Sequence, residues 1–498
     1  MATRMLEVAA VDYSLPNECW ETIFKFLINN DYGNVDDNNN HHIHSLSAVS
    51  KQFLSITNNL LFSLNVRTNF KPSVTIINCK PTVNINDFIR PSNFLSRLIR
   101  RFSNLNSLHL TGNNLNNTLC KISRLPFFTL KSLHLNFKLT HFRIEFPTEG
   151  LRLVSQNITT LTSLTFSHLR SLSSTYLLLI AECFPLLEQL NLNLNLNLDY
   201  HGRSHDSLLI EGVKALSSSL LKLRKVDLTN HYYINDQCLC YLFKNWKFLE
   251  EAIIIGCKHL TNNGITSALS ERPTFSALSE RPTLRSFSFS GSSYFLLYAA
   301  KNSIACPQLT SLAFTSYKLS NRGIVGLLFA SIFPNLQLLD FSACPDLYED
   351  DICQVLTNCT EIRQLNLAKA SRMKLRVMNF DVPNLEVLNL SHTEVDDEAL
   401  YVISKSCRGL LKLLLEHCCH VTEEGLNYVV ENCTQLREIN LNGCQKVHAN
   451  VIASMVLSRP SLRRIVAPQP DYCFSDTEMK LFLRRRCLVE TALTNLKL

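Results

Sequence analysis

The chain has no long hydrophobic run. Its longest, around Tyr176 to Ala181, stops at Glu182, well short of the roughly 18 apolar residues that a membrane-spanning helix needs. The first fifteen residues, MATRMLEVAAVDYSL, hold no continuous apolar core of signal-peptide length. There is no Gly-rich phosphate loop, no G-x-S-x-G elbow and no Walker motif, so the usual signs of nucleotide or serine-hydrolase chemistry are missing. No cysteine stands in a Ser/His/Asp arrangement, and nucleophilic thiol chemistry has no support. Charge is also scarce: 18% of residues are charged and the net charge is +7 over 498 residues, too little to imply a nucleic-acid partner. These absences predict a soluble chain of the cytoplasm and/or nucleus. It should have no membrane anchor, no nucleic-acid groove, no cofactor and no catalytic residue.

What the chain does have is a repeat. Leu385, Leu388 and Leu390 recur as Leu410, Leu413 and Leu415, and again as Leu436, Ile439 and Leu441. The spacings are 25 and 26 residues, a period that marks a stacked solenoid. Within each unit the apolar period switches. The opening leucines alternate at period 2, as on a short strand. Leu426, Val429, Val430 and Cys433 follow at helical spacing. A strand with a helix cannot bury its apolar face alone, so such units stack. The frame opens at Leu105, Leu130, Leu161, Leu187, Leu223, Leu249, Leu284, Leu309, Leu336, Ile362, Leu385, Leu410, Leu436 and Leu462, the last a truncated cap. At 46% apolar residues the chain has a folded composition, and growth in one dimension explains its length.

Three gaps are long. Leu249 to Leu284 spans 35 residues and contains a tandem copy, SALSERPTF at 267–275 followed by SALSERPTL at 276–284. Removing the nine duplicated residues restores a period of 26. Leu187 to Leu223 spans 36 residues with an insertion near 198–206, and Leu130 to Leu161 spans 31. Insertions of this kind map to loops. The run NLNLNLNLD at 191–199 predicts an extended strand of strict period 2.

Half of the 18 cysteines occupy repeat-fixed places. Cys257, Cys344, Cys418 and Cys444 each stand eight residues after an opening leucine, and Cys183, Cys306, Cys359, Cys407 and Cys433 close the helical half. Cysteine packs well as a small buried hydrophobe, so these should form reduced ladders inside the array. The sequons at Asn116, Asn157, Asn358 and Asn432 would matter only in a secreted receptor ectodomain.

Residues 12–64 follow a different pattern. Pro16 sits where a first helical turn tolerates proline, Glu18 and Glu21 suit the positive helix end, and Cys19, Ile23 and Leu27 share a face with Trp20 and Phe24. A polar Asn-rich loop at 29–44 follows, including His41, His42 and His44. A second amphipathic helix is expected through Leu46, Val49, Ser50, Phe53, Leu54 and Thr57. On pattern alone this pair serves equally well as a cap for the solenoid end. The residues carry more. Leu15-Pro16-x-Glu18, then Ile23-Phe24-x-x-Leu27, then Leu46-x-x-Val49-Ser50-Lys51-x-Phe53 resembles the F-box. Two departures stand out: the loop is long, and Phe53 occupies a place where many F-boxes carry tryptophan. An exposed loop tolerates insertion cheaply, and phenylalanine keeps an aromatic anchor.

The cysteine slot, the period and the Thr-x-x-Gly-Leu-like helix starts at Thr261 to Ile265 and Thr422 to Leu426 resemble the cysteine-containing class of leucine-rich repeats found in plant and animal F-box proteins. The two resemblances together cover nearly the whole chain. They imply an α/β fold: a small helical F-box at 12–64, an irregular linking repeat at 65–104, a leucine-rich-repeat solenoid at 105–468 with strands on its concave face and helices on its convex face, and a C-terminal cap or tail at 469–498. They also imply a function, the substrate-recognition subunit of an SCF-type E3 ubiquitin ligase. Leu15, Pro16, Glu18, Ile23, Phe24, Leu27, Leu46, Val49, Ser50, Lys51 and Phe53 would meet a Skp-family adaptor, and through it the cullin-based ligase core. The alternative is a non-catalytic repeat scaffold unrelated to ubiquitination.

Target recognition would fall to strand residues two and four after each opening leucine, which should face away from the core. Lys225, Asp227, Glu251, Ile253, Asp340, Asn366 and Lys412 are the candidates. Charges of both signs are mixed there, which suits a protein surface better than a nucleic-acid groove. A small anionic ligand would need clustered cations, yet Arg463-Arg464 and Arg484-Arg485-Arg486 lie only near the C-terminal end. The cluster His417-Cys418-Cys419-His420 invites a zinc reading. Its residues should leave the chain on opposite sides and no C-x-x-C partner lies nearby, so no metal site is expected.

Overall fold

The computed structural model describes residues 16–29, 49–60, 62–68, 73–77, 80–85, 104–112, 114–125, 130–137, 146–169, 172–194, 206–270, 284–292, 294–318, 325–344, 347–371, 373–378, 380–469 and 474–490. Leu15, Leu46, residues 30–44 of the expected loop and residues 271–283 of the duplication fall outside them. The chain divides into two compact units, residues 1–160 and 161–498.

The first unit opens with helices α1 (Asn17–Asn29) and α2 (Lys51–Leu60). Four apolar side chains hold them together: Phe24 and Ile56 are buried, with Trp20 and Phe53 packed against them. The three rings lie 4.6 to 5.9 Å apart between centroids. Strands β1 (Ser63–Thr68), β2 (Ser73–Ile77) and β3 (Lys80–Ile85) follow, then β4 (Ser107–Gly112), α3 (Leu115–Ile122), β5 (Ser132–Phe137) and α4 (Thr148–Asn157). β1 pairs in parallel with both β3 and β4, and β4 with β5. The strand array therefore starts at Ser63, inside the span that sequence pattern assigned to the helical module. The stretch after it is less irregular than expected, because β2 and β3 form an antiparallel pair within it.

The second unit alternates strand and helix: β6 (Ser163–Ser167), α5 (Ser174–Cys183), β7 (Gln189–Asn191), α6 (Asp206–Ser219), β8 (Lys225–Asp227), α7 (Asp236–Asn245), β9 (Glu251–Ile254), α8 (Asn262–Ser270), β10 (Ser286–Ser292), α9 (Tyr294–Lys301), β11 (Ser311–Lys318), α10 (Val325–Ile332), β12 (Leu338–Asp340) and α11 (Glu349–Asn358). β13 (Gln364–Asn366) and β14 (Val387–Asn389) come next, then α12 (Asp397–Ser406), β15 (Lys412–Leu414), α13 (Glu423–Asn432), β16 (Glu438–Asn440), α14 (Val451–Ser458), β17 (Arg464–Val466), α15 (Asp476–Arg485) and β18 (Leu488–Glu490). Each strand from β6 to β18 pairs in parallel with the next, one repeat per step. This is an α/β leucine-rich-repeat solenoid. It continues past residue 468, because β18 extends the sheet beyond the last leucine frame. The frame missed that strand because Leu488 pairs with Arg464 at slot 2, which puts the exposed Arg486 at the opening slot in place of a leucine.

All fourteen frame openings are buried. Phenylalanine replaces leucine at several inner positions of the middle repeats, and Phe287, Phe289, Phe314 and Phe341 meet one another and Phe243 and Phe329 of the helices at 4.8 to 5.8 Å. Between β13 and β14 the frame spacing, Ile362 to Leu385, is 23 residues, and no helix forms among the described residues. Met373, Leu375, Met378 and Val382 fill the core there from irregular chain. Of the NLNLNLNLD run only Asn191 belongs to β7, and residues 195–199 lie outside the described residues. Its amides at Leu192 and Leu194 still reach the carbonyls of Asp227 and Thr229 in the next repeat.

Counting slots from each opening leucine, three features lock one repeat to the next. At slot 4, the side-chain oxygen of Asn191, Asp227, Asp340, Asn366, Asn389 or Asn440 accepts from the backbone N–H two residues on, at 2.7 to 3.1 Å. These Asx turns bend the chain off the strand. At slot 7 the backbone is left-handed, with φ of 56° to 73° at His168, Asn230, Gly256, Ala343, Lys369, His392, His417 and Gly443. At slot 8, Cys257, Cys344, Cys418 and Cys444 donate their thiols to the slot-5 carbonyl of the preceding repeat, at 3.0 to 3.5 Å. Burial pushes the thiols of Cys257 and Cys444 up to about 12 and that of Cys418 to about 11, so they stay protonated donors.

His231 occupies slot 8 of its repeat and does the same task. Its Nε2 lies 2.8 Å from the carbonyl oxygen of Leu192, the slot-5 residue of the preceding repeat. A carbonyl only accepts, so Nε2 carries the proton. Nδ1 is buried without a hydrogen-bond partner. Burial lowers the imidazole pKa to about 4, against which the Leu192 bond works weakly. Helix starts are locked as well. Asp397 accepts from the N–H and Oγ1 of Thr422 and from the N–H of Gly425, at 2.6 to 3.1 Å. A Cβ on Gly425 would stand 2.3 Å from Asp397 Oδ1, which explains the glycine.

Two outcomes follow. Gly425→Ala should cost about 1–3 kcal/mol in equilibrium urea unfolding, the usual penalty for overpacking. It should cost clearly less in an Asp397→Ala background, where the clash is gone. For His231, the unfolded chain takes up the proton first as pH falls below the ordinary value, so stability is full above about 6.5 and is lost toward about 4. His231→Cys keeps the donor and removes the titration. The stability difference between wild type and this variant should shift against wild type by roughly 3 kcal/mol between about pH 7.5 and about pH 4. An unchanged difference would show that the ring is solvated.

Candidate functional site

Three surfaces can carry function: the N-terminal helix pair, the strand face turned away from the helices, and the turn edge at slot 7.

Ser50 lies between helical Val49 and α2. Its Oγ accepts from the N–H of Phe53 at 3.0 Å, so the serine is an N-cap and breaks the expected helix between Val49 and Lys51. Gln52 Nε2 reaches Asn17 Oδ1 at 2.7 Å and fixes the two helix starts side by side. Of the residues expected to meet an adaptor, Pro16, Glu18, Ser50 and Lys51 are exposed. Val49 is 66% and Ile23 38% exposed. Phe24, by contrast, is fully buried, and Phe53 is half-buried against Trp20. These two hold the hairpin together and cannot be offered whole to a partner. Leu15 and Leu46 lie outside the described residues, as does the side chain of Leu27. Within the first unit α2 is tied to the strands: Asn104 Nδ2 donates to the Asn59 carbonyl at 2.9 Å, and the Phe62 carbonyl accepts from Asn106 and Ser107.

The strand face gathers the other expected residues in two columns, slots 2 and 4. Lys225 Nζ lies 3.0 Å from Glu251 across adjacent strands. Lys412, Glu438, Arg464 and Glu490 form a continuous chain of ion pairs at 2.8 to 3.0 Å. Burial works against the charge of Arg464, but Glu490 and Glu438 outweigh it and raise its pKa. Asp227, Asp340 and Asn366 are committed to the slot-4 turns. Asp227 Oδ2 also accepts from Asn191 at 3.0 Å, and Asp340 Oδ2 from Asn366 at 2.9 Å. Much of the polarity on this face therefore serves stacking. Ile253, Leu338, Val387 and Leu414 stand half-buried among it, and Ser286, Ser288, Ser311 and Ala313 leave a stretch of small side chains on β10 and β11.

At the turn edge, burial divides the His417-Cys418-Cys419-His420 cluster without the strict alternation that was expected. Cys418 is buried and the other three are exposed. A partner for His417 comes from one repeat earlier. The rings of His392 and His417 stack with centroids 4.7 Å apart and an interplanar angle of 26°. The ligand atoms of His392, Glu416 and His417 all lie within 4.8 Å of one another. A search for short spacings misses this group. A histidine in slot 7 of two consecutive repeats was the available signal.

No protein-family model matches the chain. Among solved structures, a chain of the crystal structure of the Rad7 and Elc1 complex in yeast is 18% identical, covering 82% of this chain and 93% of that one, with a TM-score of 0.48. The leucine-rich repeat-containing protein LegL7 from Legionella pneumophila is 14% identical over 74% of this chain and 94% of its own, with a TM-score of 0.35. An internalin from Listeria monocytogenes is 10% identical over 91% and 94%, with a TM-score of 0.31.

Proposed function

We propose that this chain is a non-catalytic substrate receptor of an SCF-type ubiquitin ligase. The observation that carries the reading is the N-terminal hairpin. Its four-residue core is closed by Phe24, Ile56, Trp20 and Phe53, yet it leaves apolar Val49 and Ile23 exposed beside Pro16, Glu18 and Lys51. A pure end cap would turn its apolar side chains toward the array; exposed apolar groups with a polar rim suit a docking surface. A Skp-family adaptor would bind there and bring the cullin-based core. A target protein would bind on the strand face, where Ile253, Leu338, Val387 and Leu414 offer apolar contact between fixed ion pairs. Transfer of ubiquitin would then rest on holding target and ligase core together.

The test is co-purification with a Skp-family adaptor. Wild type should recover it, and Ile23→Asp/Val49→Asp should recover at least tenfold less, as expected for apolar anchors. Both sites are exposed, so the variant should keep wild-type circular dichroism. Wild type without adaptor, or a folded variant that retains it, would leave the hairpin as a cap and the chain as a scaffold.

A further inference from the structure

We infer that His392, His417 and Glu416 form a zinc-binding clip between two adjacent repeats. The site is built by the repeat itself. Both histidines occupy slot 7, where the backbone is left-handed, with φ of 59° and 56°. That conformation is unusual for a bulky residue, and here it aims two imidazoles the same way from neighbouring turns. Successive turns are held in register by main-chain bonds: His392 N–H to the Glu416 carbonyl at 2.7 Å, and His417 N–H to the Asn442 carbonyl at 2.8 Å. The following slot 7 is Gly443, and a Cβ there would lie 2.4 Å from His417 Nδ1. The glycine thus leaves room for the His417 ring. Glu416 is half-buried, and Asn442 Nδ2 donates to its Oε1 at 3.1 Å, the kind of outer bond that orients a ligating carboxylate. Among the described residues neither imidazole has a hydrogen-bond partner.

Two imidazoles and one carboxylate are a known zinc donor set, with a fourth position left for water or for a side chain from a partner. Zinc–nitrogen bonds of about 2.0–2.1 Å would place the ligand atoms about 3.3 Å apart. The three atoms now lie within 4.8 Å of one another, so rotation of exposed side chains closes the gap without moving the backbone. Of the two thiols that follow His417, that of Cys419 is exposed and lies 3.6 Å from the His417 carbonyl oxygen, whereas that of Cys418 faces the core. Cys418 is buried and donates to the Leu390 carbonyl at 3.1 Å.

The experiment uses the full chain with His41, His42 and His44 replaced by alanine, which removes the histidines that lie closest together in sequence. Zinc chloride is titrated calorimetrically and the melting temperature is followed with and without zinc. One zinc ion should bind per chain and raise the melting temperature. His392→Asn and His417→Asn should each weaken binding about tenfold or more and abolish the thermal shift. Asparagine tolerates the left-handed backbone, so these variants should fold. His420→Asn, one repeat-edge position away, should bind like the parent. Absence of stoichiometric binding to the parent, or binding by the His392 and His417 variants as tight as the parent's, would overturn the assignment.

Discussion

The rest of the structure depends on one hydrogen bond, made again and again: the slot-4 side chain accepting from the backbone N–H two residues later. A strand of three residues has almost no stability alone. What fixes its length is the turn that ends it, and Asn389, Asn366, Asp340 and their equivalents make that turn. Once the chain leaves the sheet there, slot 7 is left-handed and slot 8 points into the core. The thiol of Cys418 then meets the Leu390 carbonyl of the preceding repeat. Leucine burial supplies the main driving force, but leucines alone would not set where each strand stops. The polar turn turns a hydrophobic pattern into a periodic structure.

Seen this way, the fold was largely legible in the sequence, and the reason is physical. The leucine frame, the cysteine slot and the Thr-x-x-Gly starts are each demanded by a contact that recurs every repeat. What escaped was aperiodic. β18 lacks a buried opening leucine, the repeat after β13 is too short for a helix, and β1 begins before the frame is recognisable. The break at Ser50, between helical Val49 and α2, also carried no periodic signal. Ser50 caps that helix through an N–H bond, while the apolar spacing continues upstream through Val49, which is exposed.

The strand face was only partly legible. Exposed charge on a sheet looks like recognition surface. Here, Asp227, Asp340 and Asn366 hold turns, and Lys225 and Lys412 are paired with glutamates of the next strand. Such exposed pairs add little stability, but they do fix side chains that would otherwise be mobile. A partner meeting this face finds a patterned, preorganised surface instead of a brush of flexible cations, and pays less to order it. The apolar positions between the pairs, such as Ile253 and Leu414, then become the places where binding energy can be gained.

The same stacking rule explains why single residues in this chain should be read against the neighbouring repeat and not against their neighbours in sequence. His231 looks like an isolated histidine until it is placed in slot 8, where it substitutes for a cysteine and donates to Leu192. The substitution keeps the hydrogen bond but adds a ring nitrogen that the cysteine never had, left buried at Nδ1. His417 looks like part of a contiguous cluster until its ring is found stacked on His392, 25 residues earlier. In both cases the partner belongs to the adjacent repeat, whatever the sequence separation. A solenoid brings together residues of equal slot, so any slot can accumulate chemistry by changing one side chain in each of two repeats. Slot 8 is closed to solvent and offers only packing and a donor. Slot 7 is open and offers lone pairs to the outside, which is why new binding chemistry has its place on that edge and not in the cysteine ladder.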